Sequence, residues 1–563
     1  MIGMKNKVWI SKFTVNDGTT VTLDESSIVV FVGANNMGKS ASLKEIFQLL
    51  KSNGTGKIIT HVEIESIGNV DDLVESLIAA SKQSSSLQQN PTFSGIGYSV
   101  PKDNLLHFWN EYRSGLSRLH SLFVNLLSTE TRLTAANPAP NIAITSEPPS
   151  HPIHFLQSDD RLEERFSNYF YQAFGKQLIL HRNAGSTVPL YVGDKPQINE
   201  GEDRISRGYL NKLEALPQLH LQGDGMRSFV GVLLSAFVSE HSIQLIDEPE
   251  AFLHPPQARL LGKMLAKDLP MDRQLFLSTH SEEFLKGLLD SGNQNVRIIR
   301  LRREGNINIV NQLNTQEINE IWSDSLLRHS NILNGLFHSK VIICESDSDC
   351  RFYSAVLYSL YENTNGISPD VLFIHCGGKH RIPVVIRALK SLGVPITVAV
   401  DFDILNSESP FKDILLELGG LWHTIKDDWR NVKSAIDSKK PELLAKDLKD
   451  EIEKAFSDAP TNIVSGDTIK KISSALKKSS PWSNAKQVGK SFIPSGEHMK
   501  AYDRLNDYAS SLGIKIVEVG ELEGFIRTIG NHGPKWVNEA LKMDLKNDPE
   551  VKLARDFVRS LIT

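Results

Sequence analysis

Cysteine is scarce: the 563-residue chain has three, Cys344, Cys350 and Cys376, and none forms a C-x-x-C pair. A disulfide framework or a structural zinc site is therefore not expected, and a reducing compartment fits. No apolar run approaches the roughly 20 residues that span a bilayer, so no membrane partner is expected. The N-terminus MIGMKNKVWISKF lacks the apolar core of a signal peptide, and the reading is a soluble, cytoplasmic protein. Excess charge is missing too: 62 Lys plus Arg stand against 67 Asp plus Glu, a formal charge of −5. That argues against histone-like wrapping of nucleic acid but leaves room for a local basic groove. No internal repeat or sustained heptad is visible, which argues against a solenoid or a long coiled-coil arm. What remains is an ordinary globular mixture, 40% hydrophobic and 23% charged, long enough for several domains.

The pattern along the chain predicts an α/β fold with two separate alternations of strand and helix. VWISKF, TVTL and SIVVFV within residues 7–32 read as strands, and SLKEIFQLL after Ser40 as a helix. Residues 70–135 read as mostly helical, and the proline-bearing stretch 137–152 as a loop. A helix over 160–175 and a hairpin over 177–193 are expected next. From 222 to 310, GMRSFVGVLLSAFVS, SIQLID, PPQARLLGKMLAKDL, QLFLST, SEEFLKGLL and VRIIRLRR alternate helix and strand, the mark of a parallel sheet. A second alternation begins near 338 with KVIICE, DCRFYSAVLYSLY, VLFIHC, RIPVVIRALKSLG and PITVAVDFD. Residues 426–500 are charged and helix-like, and the strand KIVEVG and two helices close the chain.

Gly33-Ala-Asn35-Asn36-Met37-Gly38-Lys39-Ser40 matches G-x-x-x-x-G-K-[ST] in full, after a predicted strand and before a predicted helix. Glycines let backbone N–H groups, continued by Ala41 at the helix start, wrap the phosphates of ATP. Lys39 would neutralise phosphate charge and the Ser40 hydroxyl would ligate Mg²⁺. Far downstream, SIQLIDEP ends an apolar strand in Asp247, suited to the Mg²⁺ shell, and Glu248, suited to polarising the attacking water. QLFLSTHS places His280 after another strand end. On these segments the chain resembles the ATP-binding-cassette class of P-loop ATPases, in its structural-maintenance-of-chromosomes-like branch. The resemblance implies that His280 senses the γ-phosphate. It also implies that Gly223, Gly225 and Ser228, in Gln222-Gly-Asp-Gly-Met-Arg-Ser228, cap the nucleotide of an opposite protomer. This segment departs from the usual LSGGQ. No Gln near 60–70 matches the class's Q-loop.

A second set of acids closes strands of the later alternation. KVIICESDSD carries Glu345, Asp347 and Asp349, and PITVAVDFD carries Asp401 and Asp403. Strand ends in an open α/β sheet can meet at one crevice. Hard oxygen ligands gathered there suit Mg²⁺ or Mn²⁺ and phosphodiester chemistry. The segment resembles a TOPRIM domain, with Glu345 and the D-x-D pair Asp401 and Asp403 in the family pattern. Asp349 matches the acid found four residues after the Glu in the nuclease branch, and Cys376-Gly377-Gly378-Lys379 resembles the glycine turn. Ser346 stands where that family usually has Gly.

An ATPase head followed by TOPRIM resembles the overcoming-lysogenisation-defect (OLD) nucleases, a plan shared with Gabija A subunits of anti-phage defence and some retron-associated effectors. The resemblance covers residues 1–430 and resumes near 515. It implies a late metal ligand at Glu523, with Glu521 the weaker candidate, and a catalytic lysine at Lys535. Lys470, Lys471, Lys477, Lys478, Lys486 and Lys490, around Trp482, read as a DNA-contacting surface or a solvated helix face. The expected division is 1–75 and 176–325 for the ATPase, 76–175 for a helical, dimerising insertion, 335–425 and 506–563 for TOPRIM, and 426–505 for a charged helical insertion. The expected protein is an ATP-regulated, metal-dependent DNA endonuclease or nickase, a homodimer or tetramer with a possible protein or retron RNA–DNA partner. The competing expectation is an ATPase regulator whose TOPRIM fold does not cut.

Overall fold

Strands whose residues are buried on both faces form the centre of each half of the chain. In the computed structural model, residues 6–52, 54–81, 91–109, 116–313, 322–323, 328, 331–362, 366–439, 445–457, 464–477 and 481–563 are described. They divide into two compact units, Met1–Phe337 and His338–Thr563.

The first unit is built on a six-stranded sheet. Along the chain its strands run β1 (Lys7–Val15), β2 (Thr20–Thr22), β3 (Ile28–Val32), β4 (Ile59–Ile67), β5 (Thr92–Gly95), β6 (Tyr98–Pro101), β7 (Val124–Leu127) and β8 (Ala139–Pro140). Then follow β9 (Gln177–Leu180), β10 (Thr187–Val188), β11 (Leu190–Gly193), β12 (Ile243–Asp247), β13 (Gln274–Ser278), β14 (Val296–Glu304) and β15 (Ile307–Leu313). The main sheet has the order β15-β14-β3-β13-β12-β7 and is parallel except at β15. Every residue of β3, β12 and β13 is buried, as expected where helices cover both faces of a parallel sheet. An antiparallel sheet β2-β1-β4 packs beside it. The buried Gln274 side chain ties the two together: it accepts from Ile10 N at 2.9 Å and donates to Ile10 O at 2.9 Å.

The structure departs from the sequence reading in residues 70–135. Helices Val70–Ser81 and Lys102–Trp109 are present, but β5 and β6 form a hairpin between them. The apolar run read as helix ends as β7, which pairs in parallel with β12 at the sheet edge. A short apolar run does not distinguish strand from helix by itself; here the partner strand decides. The expected hairpin over 177–193 is present as β9 and β11, while β10 pairs instead with β8 in the proline-bearing stretch.

The second unit carries the parallel sheet β17-β16-β18-β19, from β16 (Lys340–Cys344), β17 (Val371–His375), β18 (Ile396–Val400) and β19 (Ile514–Ile516). Helices Asp347–Tyr361 and Ile382–Ser391 make its first two crossovers. The long excursion between β18 and β19 is mostly helical among its described residues, including Trp422–Asp437, Pro481–Val488 and Glu497–Ser511. An aromatic cluster of Phe352, Tyr353, Phe525 and the fully buried Trp536 packs the closing segment onto the first crossover helix.

Three histidines in the first unit are held neutral. Burial lowers His120, His151 and His241 from 6.5 to about 4, with the charges of Lys51 and His154 adding to it at the first two. His241 Nε2 lies 3.1 Å from the Ser121 carbonyl and Nδ1 faces the Ser239 hydroxyl. Between the two pKa values the unfolded chain binds more protons than the folded one, so stability rises with pH across that range. The urea midpoint of the first unit should therefore drop as pH is lowered from about 6.5 towards 4, and His241→Gln should flatten the drop.

Candidate nucleotide and metal centres

Adjacent parallel strands bring the nucleotide motifs to one edge. β3 runs into the P-loop, β13 beside it ends at Ser278, and β12 beside β13 ends at Asp247. Gly33 has φ +144°, and a Cβ there would meet Leu301 O at 2.4 Å; Gly38 has φ +95°, and a Cβ would meet the Ile58 side chain. Asn36 also takes a left-handed φ, while Asn308 donates to the Met37 carbonyl at 2.8 Å. Asn35 and Ala41 are exposed, and Ser40 is half-buried at the start of helix Lys39–Lys51. That helix has no side-chain cap and no acid in its first turn, which favours an anion at its N-terminus. Lys39 Nζ donates to Gly33 O and Ala34 O, at 2.7 and 2.9 Å.

The Ser278 hydroxyl donates to the Asp247 carboxylate. Glu248 takes a left-handed φ of +48°, and its N–H donates to Ser278 O. Its Oε1 lies 3.3 Å from His280 Nε2, so the two candidate catalytic groups face each other. Burial holds His280 below the usual histidine range, and Lys39 adds to that. Two further residues went unassigned in the sequence. Glu250 accepts from Thr279 Oγ1 at 2.8 Å and from His280 N at 2.9 Å, and burial raises its pKa. The fully buried Arg132 donates to the carbonyls of Asp247 and Glu248. The third acid of D-E-P-E is a visible signal for Glu250; nothing local marks Arg132.

The signature segment behaves differently from expectation at one position. Gly223 is the exposed N-cap of helix Asp224–Leu233. Gly225 packs so closely on the turn after Glu250 that a Cβ would meet Phe252 O at 2.8 Å. Ser228 is fully buried, and its hydroxyl donates to Ala251 O at 3.1 Å. It thus holds the helix to that turn in its own chain rather than presenting a hydroxyl to a nucleotide.

In the second unit all four strand ends converge. Glu345 follows β16, Asp401 and Asp403 follow β18, and Asp401 N donates to Glu345 Oε1 at 3.0 Å. Oxygens of Glu345, Asp401 and Asp403 lie within 4.8 Å of one another. From the end of β17, Gly377 and Gly378 turn the chain with positive φ and bring Lys379 Nζ to 3.3 Å from Asp403 Oδ1. After β19, oxygens of Glu521 and Glu523 and a nitrogen of His532 form a second group within 4.8 Å. Burial, then the neighbouring Asp403 charge, raises Glu345; burial, then Glu345, raises Asp401 well above the carboxylate range. Asp403 Oδ1 is buried without a well-directed hydrogen bond. Clustered hard oxygens, proton-retentive carboxylates and one under-satisfied oxygen fit a divalent cation.

A family model described as "AAA domain, putative AbiEii toxin, Type IV TA system" matches residues 131–286, which contain Arg132, Asp247, Glu248 and His280. Another, described as "Overcoming lysogenization defect protein-like, TOPRIM domain", matches residues 336–403, ending on Asp403. The chain joins an ATPase domain to an OLD-like TOPRIM domain. The Old nuclease of Escherichia phage P2 is 24% identical over 178 residues. Those residues are 30% of this chain and 28% of that nuclease, so the similarity spans under a third of the relative. Among solved structures, an Smc head bound to the C-terminal winged-helix domain of ScpA is 12% identical. It covers 56% of this chain and 100% of its own, with a TM-score of 0.34. The SMC head domain from Thermotoga maritima is 11% identical, with 55% and 98% covered and a TM-score of 0.27.

Within the OLD-like TOPRIM domain, Ser346 and Asp349 have a local task. They form a capping box on helix Asp347–Tyr361: Asp349 Oδ2 accepts from Ser346 N at 2.8 Å and from its hydroxyl at 3.0 Å. Asp349 therefore lies outside the tight oxygen trio, though burial and then the nearby Glu523 raise its pKa. Glu523 Oε1 accepts from Gly533 N at 2.7 Å, which fixes the loop before helix Pro534–Ala540. Lys535 is exposed on that helix.

The lysine segment is split by the fold. Lys470 and Lys471 are exposed on helix Gly466–Lys477, Lys470 3.9 Å from Asp467. The side chain of Lys477, and all of Lys478, lie outside the described residues. Trp482 is buried and donates to Asp437 at 2.8 Å. Lys490 pairs with Asp503 and Glu518. Lys486 turns into the acidic centre, 3.1 Å from Asp401 Oδ2. Burial works against its charge, but Asp401, Asp403 and Glu521 outweigh it and hold the ammonium above the usual lysine range. So Lys486 belongs to the carboxylates rather than to a phosphate-contacting surface, a placement no local pattern signalled.

Glu248→Gln should leave ATP binding intact and slow hydrolysis by about 10²–10⁴-fold, read by nucleotide titration and phosphate release. Mn²⁺ at about 100 times its Kd should stabilise the OLD-like TOPRIM unit by about 2.7 kcal/mol. Asp401→Asn should remove that gain in a thermal melt.

Proposed function

We propose that the protein is an ATP-regulated, divalent-metal-dependent DNA endonuclease or nickase of the OLD type. The observation that carries this reading is the convergence of Glu345, Asp401 and Asp403 oxygens within 4.8 Å at neighbouring strand ends. A bound Mg²⁺ or Mn²⁺ would activate water and stabilise the leaving oxygen of a phosphodiester. Glu345, Asp401 and Asp403 would hold one ion. Glu523, with Glu521, would serve a second, and Asp349 would orient the first turn beside them. Lys535, Lys470, Lys471, Lys477 and Lys478 remain candidates for phosphate contact. The name of the phage nuclease similar to part of this chain supports the same chemistry.

In the ATPase unit, residues 33–41 would bind ATP, Ser40 and Asp247 its Mg²⁺, and Glu248 and His280 would act on the γ-phosphate. Gly223 and Gly225 of one protomer would close over the nucleotide of another, making the working unit a homodimer or a tetramer. Nucleotide-driven closure would gate access of DNA to the acids. A cytoplasmic role in anti-phage defence, alone or with a protein or RNA–DNA partner, extends this reading on family resemblance. The second reading, a regulator that does not cut, draws on Lys486, whose ammonium already neutralises part of the acidic centre.

Supercoiled plasmid separates the two. With Mg²⁺ or Mn²⁺ the protein should nick or linearise it, Asp401→Ala should abolish cleavage, and Lys39→Ala should remove the response to ATP. Cleavage that survives in Asp401→Ala would remove the acidic centre from the chemistry. An absence of cleavage under all conditions would favour the regulator.

A further inference from the structure

Lys486 lies where the two carboxylate groups meet. Its Nζ is 3.1 Å from Asp401 Oδ2, 3.8 Å from Asp403 Oδ2 and 3.8 Å from Glu521 Oε2. Asp401 and Asp403 belong to the first group of potential ligands and Glu521 to the second. One ammonium thus bridges both. Its backbone is pinned. Helix Pro481–Val488 presses on the segment after β19 so closely that a Cβ on Gly520 would meet Lys486 O at 2.1 Å. A Cβ on Gly489 would meet Glu518 O at 2.0 Å. Lys490 N donates to Glu518 O at 2.8 Å, and Phe402 N to Gly520 O at 2.8 Å. Trp482, one turn earlier, is anchored through Asp437.

A divalent ion held by Asp401 and Asp403 would sit about 2 Å from their oxygens. An ammonium 3–4 Å from the same oxygens would then face a doubly charged neighbour at close range, which is strongly unfavourable away from bulk water. The backbone is fixed, whereas the four-carbon stem is flexible, and the side chain is 35% exposed. It can swing outward without moving the helix. We propose that Lys486 is a tethered counter-ion of the acidic centre, which Mg²⁺ or Mn²⁺ must displace in order to bind. The inference rests on the reading of the centre as a metal site and assigns this chain's own cation as the competitor for that site.

The test uses the full-length protein stripped of metal and nucleotide, with Mn²⁺ as the probe. Calorimetric titration should show Lys486→Gln binding Mn²⁺ about tenfold tighter or more, with a lower unfolding midpoint in EDTA. Lys486→Arg should stay close to wild type in both. Asp401→Asn should lose the binding. A Lys486→Gln affinity equal to or weaker than wild type, with Asp401→Asn still impaired, overturns the counter-ion role and leaves the metal site standing. Absence of Mn²⁺ binding by both wild type and Lys486→Gln overturns the metal reading, and this inference with it. A measurement on the unmutated chain covers a variant that fails to fold: acylation of Lys486, read by mass spectrometry, should rise severalfold when Mg²⁺ is added. Unchanged or reduced labelling overturns the proposal.

Discussion

The crowding of like charge at the carboxyl ends of β16, β18 and β19 is the constraint on which the second unit depends. Glu345 and Asp401 sit on neighbouring parallel strands, so the register that pairs Ile343 with Val398 also forces their carboxyl groups together. Such a cluster is stable only if protons, ammonium groups or metal ions offset it. The fold supplies two lysines from opposite sides. Lys379 arrives on the glycine turn after β17, and Lys486 on a helix of the long excursion before β19. The tight glycine contacts at Gly489 and Gly520 make sense in this light, because they fix the helix that carries the second cation.

The first unit uses the same geometry for a different charge problem. β3, β13 and β12 lie side by side in parallel, so the P-loop, the Ser278–His280 turn and the Asp247–Glu250 acids share one edge. Here the expected ligand is an anion with its Mg²⁺. Lys39 and the uncapped helix start therefore stand opposite the acids. Arg132 and Glu250 have no evident place in the chemistry itself. Arg132 holds the carbonyls of Asp247 and Glu248, and Glu250 holds the His280 N–H, so together they brace the two turns and the left-handed Glu248 backbone.

Motif-bearing parts of the molecule were legible in the sequence because their chemistry and their position along a strand are the same fact. G-x-x-x-x-G-K-S must follow a strand and open a helix, and an acid ending a buried apolar strand must emerge at the sheet edge. The misreadings fall where local pattern and long-range partner disagree. Val124–Leu127 carries no strand signature strong enough to outweigh its helical surroundings, and pairing with β12 settles it. Ser228 looked like a nucleotide contact and is buried against Ala251. Asp349 looked like a ligand on equal terms with Glu345, but its Oδ2 is engaged by Ser346 in a helix cap.

The lysines mark the boundary between the two kinds of information. The sequence by itself determined an α/β chain with a P-loop, a distant Asp-Glu pair and a second set of strand-end acids, because spacing and hydrophobic pattern are local properties. Only the tertiary structure decided that Lys486, one of six lysines in a basic stretch, faces Asp401, Asp403 and Glu521 while Lys470 faces outward. Which way a lysine on an amphipathic helix points depends on what the helix packs against, and that partner lies far along the chain.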